Sequence, residues 1–174
     1  MPGAYTVNFS TPAGFTQSSP ANVGSNDAID SDGTSVSTTL SPGENDPTLD
    51  SGFYNLASLG DFVFSDNNVN GTQDAGDTPI GGVTVQLIQN GAVVATTTTN
   101  PDGSYRFNNL IPGAYQVQFT APPGYTFTTP NVGNDTLDSD ANASGLTQTV
   151  TLTSGEFNGT IDAGLVPLAS LGNF

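Results

Sequence analysis

The chain repeats itself, and the repeat is out of phase with the chain's own ends. Pro2-Gly3-Ala4-Tyr5 returns as Pro112-Gly113-Ala114-Tyr115, and Asn22-Val23-Gly24 returns as Asn131-Val132-Gly133. Asp30-Ser31-Asp32 returns as Asp138-Ser139-Asp140, and Ser58-Leu59-Gly60-Asp61-Phe62 as Ser170-Leu171-Gly172-Asn173-Phe174. The period is about 112 residues, and self-similarity at a fixed period means one structural unit per period. Residues 1–58 are therefore expected to be the back portion of one repeat, 59–166 a complete repeat, and 167–174 the opening of the next. Only Tyr54 to Ser58, or Leu165 to Ser170, is left as a link. Links this short do not act as loose tethers, so neighbouring repeats are expected head to tail, nearly end to end.

Within the complete repeat, apolar residues recur at every second position, the period of a half-buried strand. Phe62-Val63-Phe64 opens it, and Val83, Val85 and Leu87 alternate with Thr84 and Gln86. Asn90-Gly91 is a two-residue hairpin signal followed by a return strand from Ala92 to Thr99. Pro101-Asp102-Gly103 marks a turn before Tyr105 and Phe107; Tyr115, Val117 and Phe119 then alternate with glutamines, and 146–152 and 159–165 complete the set. No segment has helical periodicity. With 21 Gly and 12 Pro as punctuation, this reads as an all-β chain, an immunoglobulin- or prealbumin-like β-sandwich of about seven strands in tandem repeats.

The formal net charge is −15, with a single basic side chain, Arg106, and no Lys. No basic patch can form, which excludes nucleic acid and anionic membrane as partners, since both are recognised by Lys and Arg. No apolar run approaches the length of a membrane span, and Met1-Pro2-Gly3-Ala4 lacks the marks of a signal peptide, so targeting signals are expected outside this sequence. Without Cys there is no disulfide, and without Cys, His or Lys the usual general bases and activated nucleophiles are missing. Paired carboxylates remain, as in glycosidases, but all the acids except Glu44 and Glu156 are aspartates in turn-like contexts. An enzyme is not expected.

Those aspartates form two patterns. Asp66-Asn67-Asn68-Val69-Asn70-Gly71-Thr72-Gln73-Asp74-Ala75-Gly76-Asp77 follows the calcium-loop order D-x-[DN]-x-[DN]-G. Asp66, Asn68, Asn70, Thr72, Asp74 and Asp77 would supply the ligands, because Ca²⁺ takes six to eight oxygens and alternate residues of a tightly curled loop point inward. An ordinary Asn/Asp/Gly-rich turn is the competing reading. The second pattern, Asp135, Asp138 and Asp140, recurs in the first copy as Asp27, Asp30 and Asp32. Three carboxylates this close repel one another unless a cation or full solvation relieves them. Asp162 and Asp50 are the candidate extra ligands from a later strand, and Asp61 is another that the sequence does not place.

The string 57–66 (ASLGDFVFSD), the loop after it, Pro79-Ile80-Gly81-Gly82-Val83-Thr84-Val85, 97–107 (TTTNPDGSYRF), Leu110-Ile111-Pro112-Gly113-Ala114-Tyr115 and Pro123-Gly124-Tyr125 together resemble the B-type repeats of serine-aspartate repeat surface adhesins. The resemblance covers nearly the whole chain. It implies a collagen-adhesin B-type sandwich of prealbumin-like topology on a bacterial cell surface, where bound calcium stiffens a stalk. Phe64 stands where that family often has Trp, and Asp77 stands where a longer Glu would close the loop. The Lys–Asn isopeptide crosslink of many B-type relatives is impossible here, leaving calcium as the staple.

The function expected is thus a calcium-stiffened extracellular spacer whose partners are neighbouring repeats. Two alternatives stand beside it. An adhesive module for host protein or glycan would need an exposed aromatic patch, for which Phe15, Tyr125 and Phe127 are candidates if they are not core. A filament subunit would polymerise by strand complementation, because residues 1–58 lack front strands of their own.

Overall fold

The computed structural model describes residues 1–169; the sequence repeat at Ser170 to Phe174 lies outside them. Among the described residues all regular structure is β, and no peptide bond is cis. One compact unit is Met1–Leu56 and a second begins at Ala57.

The first unit holds β1 (Gly3–Asn8), β2 (Gln17–Ser18), β3 (Ser35–Leu40) and β4 (Phe53–Tyr54). These make two separate antiparallel pairs, β1 with β3 and β2 with β4. No residue of this unit is fully buried.

The second unit runs through β5 (Ala57–Leu59), β6 (Val63–Ser65), β7 (Thr78–Pro79), β8 (Thr84–Gln89), β9 (Ala92–Thr98), β10 (Phe107–Leu110), β11 (Gly113–Thr120), β12 (Tyr125–Phe127), β13 (Val150–Leu152), β14 (Phe157–Asn158) and β15 (Ala163–Pro167). One layer is the four-stranded sheet β13-β11-β8-β9, and the facing strands are β12-β15-β6-β7 and β10-β5-β14. The short strand β6, near the start of the unit, and β15 at its end lie side by side and parallel, Val63 opposite Ala163 and Ser65 opposite Leu165.

Alternation builds the core. Val85 and Leu87 of β8, Tyr115, Val117 and Phe119 of β11 and Leu152 of β13 pack in one core with Leu59, Val63, Ile161 and Leu165. Each such side chain removed from water contributes about 1.5–3 kcal/mol before entropy is counted. Tyr105 stands edge-on to Phe119 at 5.4 Å and to Phe107 at 6.0 Å, and its hydroxyl donates to the Ile161 carbonyl at 2.8 Å. Phe64 is fully buried. The β8–β9 hairpin turns at Asn90 and Gly91, with φ of 52° and 77°, the doubly positive pair of a type I′ turn.

The seven sequence runs become a larger number of shorter strands. Leu146 to Leu152 is not continuous: only Val150–Leu152 is strand. Upstream, Thr147 exchanges bonds with Val117 through both its backbone N–H and its Oγ1, which takes this stretch out of regular register. The expected link also shrinks. Ala57 and Ser58 belong to β5 and are buried, with Ala57 opposite Leu110, while Phe53–Tyr54 is already β4. Of the candidate aromatic patch, Tyr125 and Phe127 pack against the core, and Phe15, in the other unit, is 42% exposed.

Candidate metal centre

The loop from Asp66 to Asp77 leaves β6 and is wound around its own first residue. Asp66 is fully buried; one oxygen accepts the Asn70 N–H at 3.2 Å, and the other accepts the Gly71 N–H at 2.9 Å and the Thr128 hydroxyl at 2.6 Å. Burial alone would raise its pKa, but the Thr128 hydroxyl and the loop N–H groups outweigh it and hold the carboxyl below its usual value. Gly71 has φ +83°, and a Cβ there would come 2.6 Å from the Thr129 carbonyl and 2.9 Å from Val132, so the reversal needs glycine twice over.

The other loop positions also converge, on one another. Asp74 Oδ2 accepts the side-chain amides of Asn68 at 3.0 Å and Asn70 at 2.7 Å. Thr72 donates its N–H and hydroxyl to Asn70 Oδ1. Asp77 accepts the Asn67 N–H at 2.9 Å and the Asp74 N–H at 3.0 Å. The six residues named from sequence thus form one hydrogen-bond network within the loop.

The second pattern differs in this respect. Oxygens of Asp135, Asp138 and Asp140 lie within 4.8 Å of one another, close enough to hold one metal ion. Asp138 and Asp140 are buried and Asp135 is exposed. Asp162, from the turn before β15, joins them: its N–H donates to Asp140 Oδ2 at 2.7 Å, and its Oδ1 accepts the Phe62 N–H at 3.0 Å. Each carboxylate then has an oxygen left over. Asp138 Oδ1, Asp140 Oδ1 and Asp162 Oδ2 are buried and have no hydrogen-bond donor.

Electrostatics follow from that geometry. Burial, with the charges of Asp135 and Asp138 adding to it, pushes Asp140 up to about 7 against the bond from the Asp162 N–H. Burial, then the charges of Asp61 and Asp140, pushes Asp162 up to about 8. Asp138 is raised by burial and by Asp135, and Asp61 by burial. Arg106 does not relieve them: it donates to Ser58 Oγ at 2.7 Å and lies 3.9 Å over the Phe157 ring. Neutrality must come from protons or from a cation.

The two patterns adjoin. Thr72 forms a β-bridge with Asp138, the Gln73 N–H donates to the Leu137 carbonyl at 2.6 Å, and the Ser139 N–H donates to the Gly71 carbonyl at 3.0 Å. In the first unit, Asp27, Asp30 and Asp32 do not form a comparable trio; the Asp50 N–H donates to Asp32 Oδ2 at 2.8 Å, and Asp30 Oδ1 is buried without a donor. Sequence spacing does not register this interlocking or the orphaned oxygens. The recurrence of one Asp spacing in both copies is the only signal that pointed to them.

The second unit is a two-layer β-sandwich of short strands with acidic loops gathered against β15, and comparison with known sequences gives its family. The chain belongs to the SdrD B-like domain family, whose profile matches residues 1–53 and 57–165. It is 44% identical over 178 aligned residues to serine-aspartate repeat-containing protein D of Staphylococcus aureus strain Newman, covering 99% of this chain and 13% of that protein. Protein C of the same strain is 47% identical over 141 residues, covering 79% of this chain and 15% of the relative. The chain therefore spans a small part of these relatives. Membership places it among the repeats of bacterial cell-surface proteins, and among the described residues no helix is long and apolar enough to cross a membrane. Among solved structures the chain is similar to the minor pilin GBS52 of Streptococcus agalactiae (TM-score 0.41, 15% identity, 79% of this chain, 62% of that one). The shaft pilin SpaA of Lactobacillus rhamnosus GG is another (TM-score 0.38, 19% identity, 67% and 51%).

Proposed function

We propose that the chain is a calcium-stiffened spacer of a bacterial surface protein, made of the back portion of one repeat in residues 1–58, a complete repeat in 59–166 and the opening of the next from 167, rather than an enzyme. One observation carries the calcium reading: three buried carboxylate oxygens, on Asp138, Asp140 and Asp162, have no donor. Buried charge without a partner is costly, and a hard cation with oxygen ligands removes that cost. The donor set is all oxygen, with no His or Cys, which favours calcium over zinc or copper.

Asp135, Asp138, Asp140 and Asp162 would hold one ion. Asp66, Asn68, Asn70, Thr72, Asp74 and Asp77 are proposed for another. There Asn68 and Asn70 present Nδ2 to Asp74, and a half-turn of each carboxamide replaces those donors with oxygens around the same point. Because the two loops are bonded to each other, an ion at one supports the other. The bound ions offset carboxylate repulsion and lock the loop regions to β6 and β15.

Thermal melting with and without chelator tests this. Calcium at 100 times its Kd adds about 2.7 kcal/mol, which for a domain of this size raises Tm by roughly 10 °C. A midpoint that ignores both calcium and EDTA would sink the proposal.

A further inference from the structure

We propose that β9 is a self-pairing edge, through which the complete repeat binds β9 of a second copy of this chain in an antiparallel, two-fold symmetric seam. The inference rests on the repeat organisation and is independent of the calcium reading.

The sheet β13-β11-β8-β9 is whole within the complete repeat, and β9 is one of its two margins. The other strands that end a sheet in this unit are short: β7 and β14 have two residues, β12 and β13 three, and β10 four. β9 runs for seven, Ala92–Thr98. Its ladder with β8 decides which of its backbone groups are already used. The Thr99 N–H donates to the Val83 carbonyl, the Thr99 carbonyl accepts the Gly82 N–H, and Thr97 stands opposite Val85. Hydrogen-bonded and non-bonded positions alternate along an antiparallel ladder, so Thr96 and Thr98 aim their N–H and C=O groups away from β8. Among the described residues no strand lies on that side, and no other hydrogen bond reaches those groups.

Proteins blunt such an edge with Lys, Pro, an inward charge, a covering loop or a bulge. β9 has only the bulge. Ala95 is opposite Leu87 and Val93 opposite Ile88, which leaves Val94 as the extra residue. That irregularity sits toward the hairpin turn, and Ala95–Thr98 stays in register. The strand reads Ala-Val-Val-Ala-Thr-Thr-Thr, uncharged and without Gly or Pro, the composition of segments that pair with copies of themselves.

Charge selects the partner. Two copies of a chain with net charge −15 repel wherever their acidic loops meet. No charged residue lies between Asp77 and Asp102, a stretch that contains all of β8 and β9, and β11 and β13 carry none either. This sheet can therefore extend into a second copy without placing carboxylates opposite carboxylates. A cationic partner would be drawn to the acidic loops instead.

The side chains agree with a two-fold centred on Thr97. It sets Thr96 and Thr98 of one copy opposite Thr98 and Thr96 of the other, so the outward N–H and C=O groups satisfy each other, and Thr97 meets Thr97 on the axis. Threonine opposite threonine is a favourable cross-strand pair. Thr96 lies in a row with Gln86 and Gln118, and Thr98 in a row with Thr84 and Thr120. Both uncharged rows continue across the seam.

A two-fold seam closes on itself and gives pairs rather than fibres. The contact of a few residues is far smaller than the roughly 1,200 Å² at which stable interfaces begin, so one pair is weak. In a tandem array each period of about 112 residues presents another β9, and weak seams in series add to a strong lateral contact between arrays.

The test is sedimentation equilibrium with residue-resolved hydrogen exchange on the full chain, up to about 1 mM, a concentration that populates pairs of millimolar Kd. We expect reversible dimers and about twofold or greater slowing at the Thr96 and Thr98 amides, with Ala95 and Thr97 unchanged because β8 already protects them. The double variant Thr96→Lys, Thr98→Lys sets like charges opposite each other and should abolish the dimer, as should Thr96→Glu, Thr98→Glu. Mixed together, the two variants should pair again, because each Lys then faces a Glu. Should a double variant melt far below the parent, Thr96→Pro takes its place with the same expected loss, since it deletes one outward donor and leaves the β8 ladder intact. A chain that stays monomeric at about 1 mM overturns the proposal. So does a dimer whose added protection falls elsewhere, residues 1–56 included, or a mixture of the charged variants that fails to pair. A Tm that ignores calcium while the β9 dimer persists would defeat the stiffening mechanism and leave this seam standing.

Discussion

Asp140 combines near-complete burial, one oxygen bonded to the Asp162 N–H and one oxygen with no donor. Without metal, its folded-state pKa of about 7 lies well above the ordinary Asp value, so the charged form is what the fold resists at pH 8. Asp140→Asn removes that charge and keeps an acceptor for Asp162. In EDTA at pH 8 the variant should melt several degrees above the parent, and it should lose most of the calcium-induced rise; calorimetric scans in both buffers read both effects. Val69 offers the opposite case, a residue whose cost is purely local. It has φ 60° with a β-branched, 60% exposed side chain, a conformation that costs about 1–2 kcal/mol for an L residue. Val69→Gly should move the urea midpoint upward by about 1 kcal/mol of stability, since little packing is lost.

At the scale of the element, the Asp66–Asp77 loop is held to the β12 region by one side-chain bond, the Thr128 hydroxyl on Asp66. Thr128→Val keeps the shape and deletes the donor, leaving a buried carboxylate short of one partner. Equilibrium unfolding should show a loss of about 1–3 kcal/mol. The sign with pH is fixed by the direction of the Asp66 shift. Its folded pKa lies below the unfolded one, so its stabilisation is present above the ordinary Asp value and is lost as pH falls through the folded value.

The same elements show how far sequence reaches. Alternation located β8 and β11, because a period of two survives wherever one face is buried and the other wet, and the Asn90-Gly91 turn located β9 as the return strand. Ala57 and Ser58 read as part of a link because β5, which they open, is buried at all three positions and has no alternation to detect. The loop residues were legible because ligand spacing is local. The interlocking of Thr72 with Asp138 and the arrival of Asp162 from the end of the repeat are long-range, and no local pattern encodes them.

For the whole molecule, the titration of the buried cluster sets a pH profile. Asp140 and Asp162 are raised to about 7 and about 8, and Asp138 and Asp61 are raised as well. In metal-free protein the folded state therefore holds more protons than the unfolded state between the ordinary Asp value and about pH 8. Stability falls as pH rises through that window. On the proposed calcium reading the trend would reverse, since an ion bound by the deprotonated cluster would displace its protons. A Tm series from pH 5 to pH 8.5 should slope downward in EDTA and flatten or slope upward in calcium. The two units should also separate: with no fully buried residue in the first, amides of 1–56 should exchange far faster than those of β8 and β11.

The parallel pairing of β6 with β15 governs how such a repeat answers a pulling force. Tension applied near Ala57 and Pro167 drags these neighbours past each other lengthwise, so Val63–Ala163 and Ser65–Leu165 are loaded together in shear. An antiparallel hairpin pulled from its open end would instead peel apart one bond at a time. The acidic loops sit at this seam, because Asp66 follows β6, Asp162 precedes β15, and the Asp66 N–H itself bonds the Leu165 carbonyl. An ion held there, as proposed, would act as a rivet across the sliding plane, and the force needed to rupture the repeat would become a property that the surrounding calcium concentration sets.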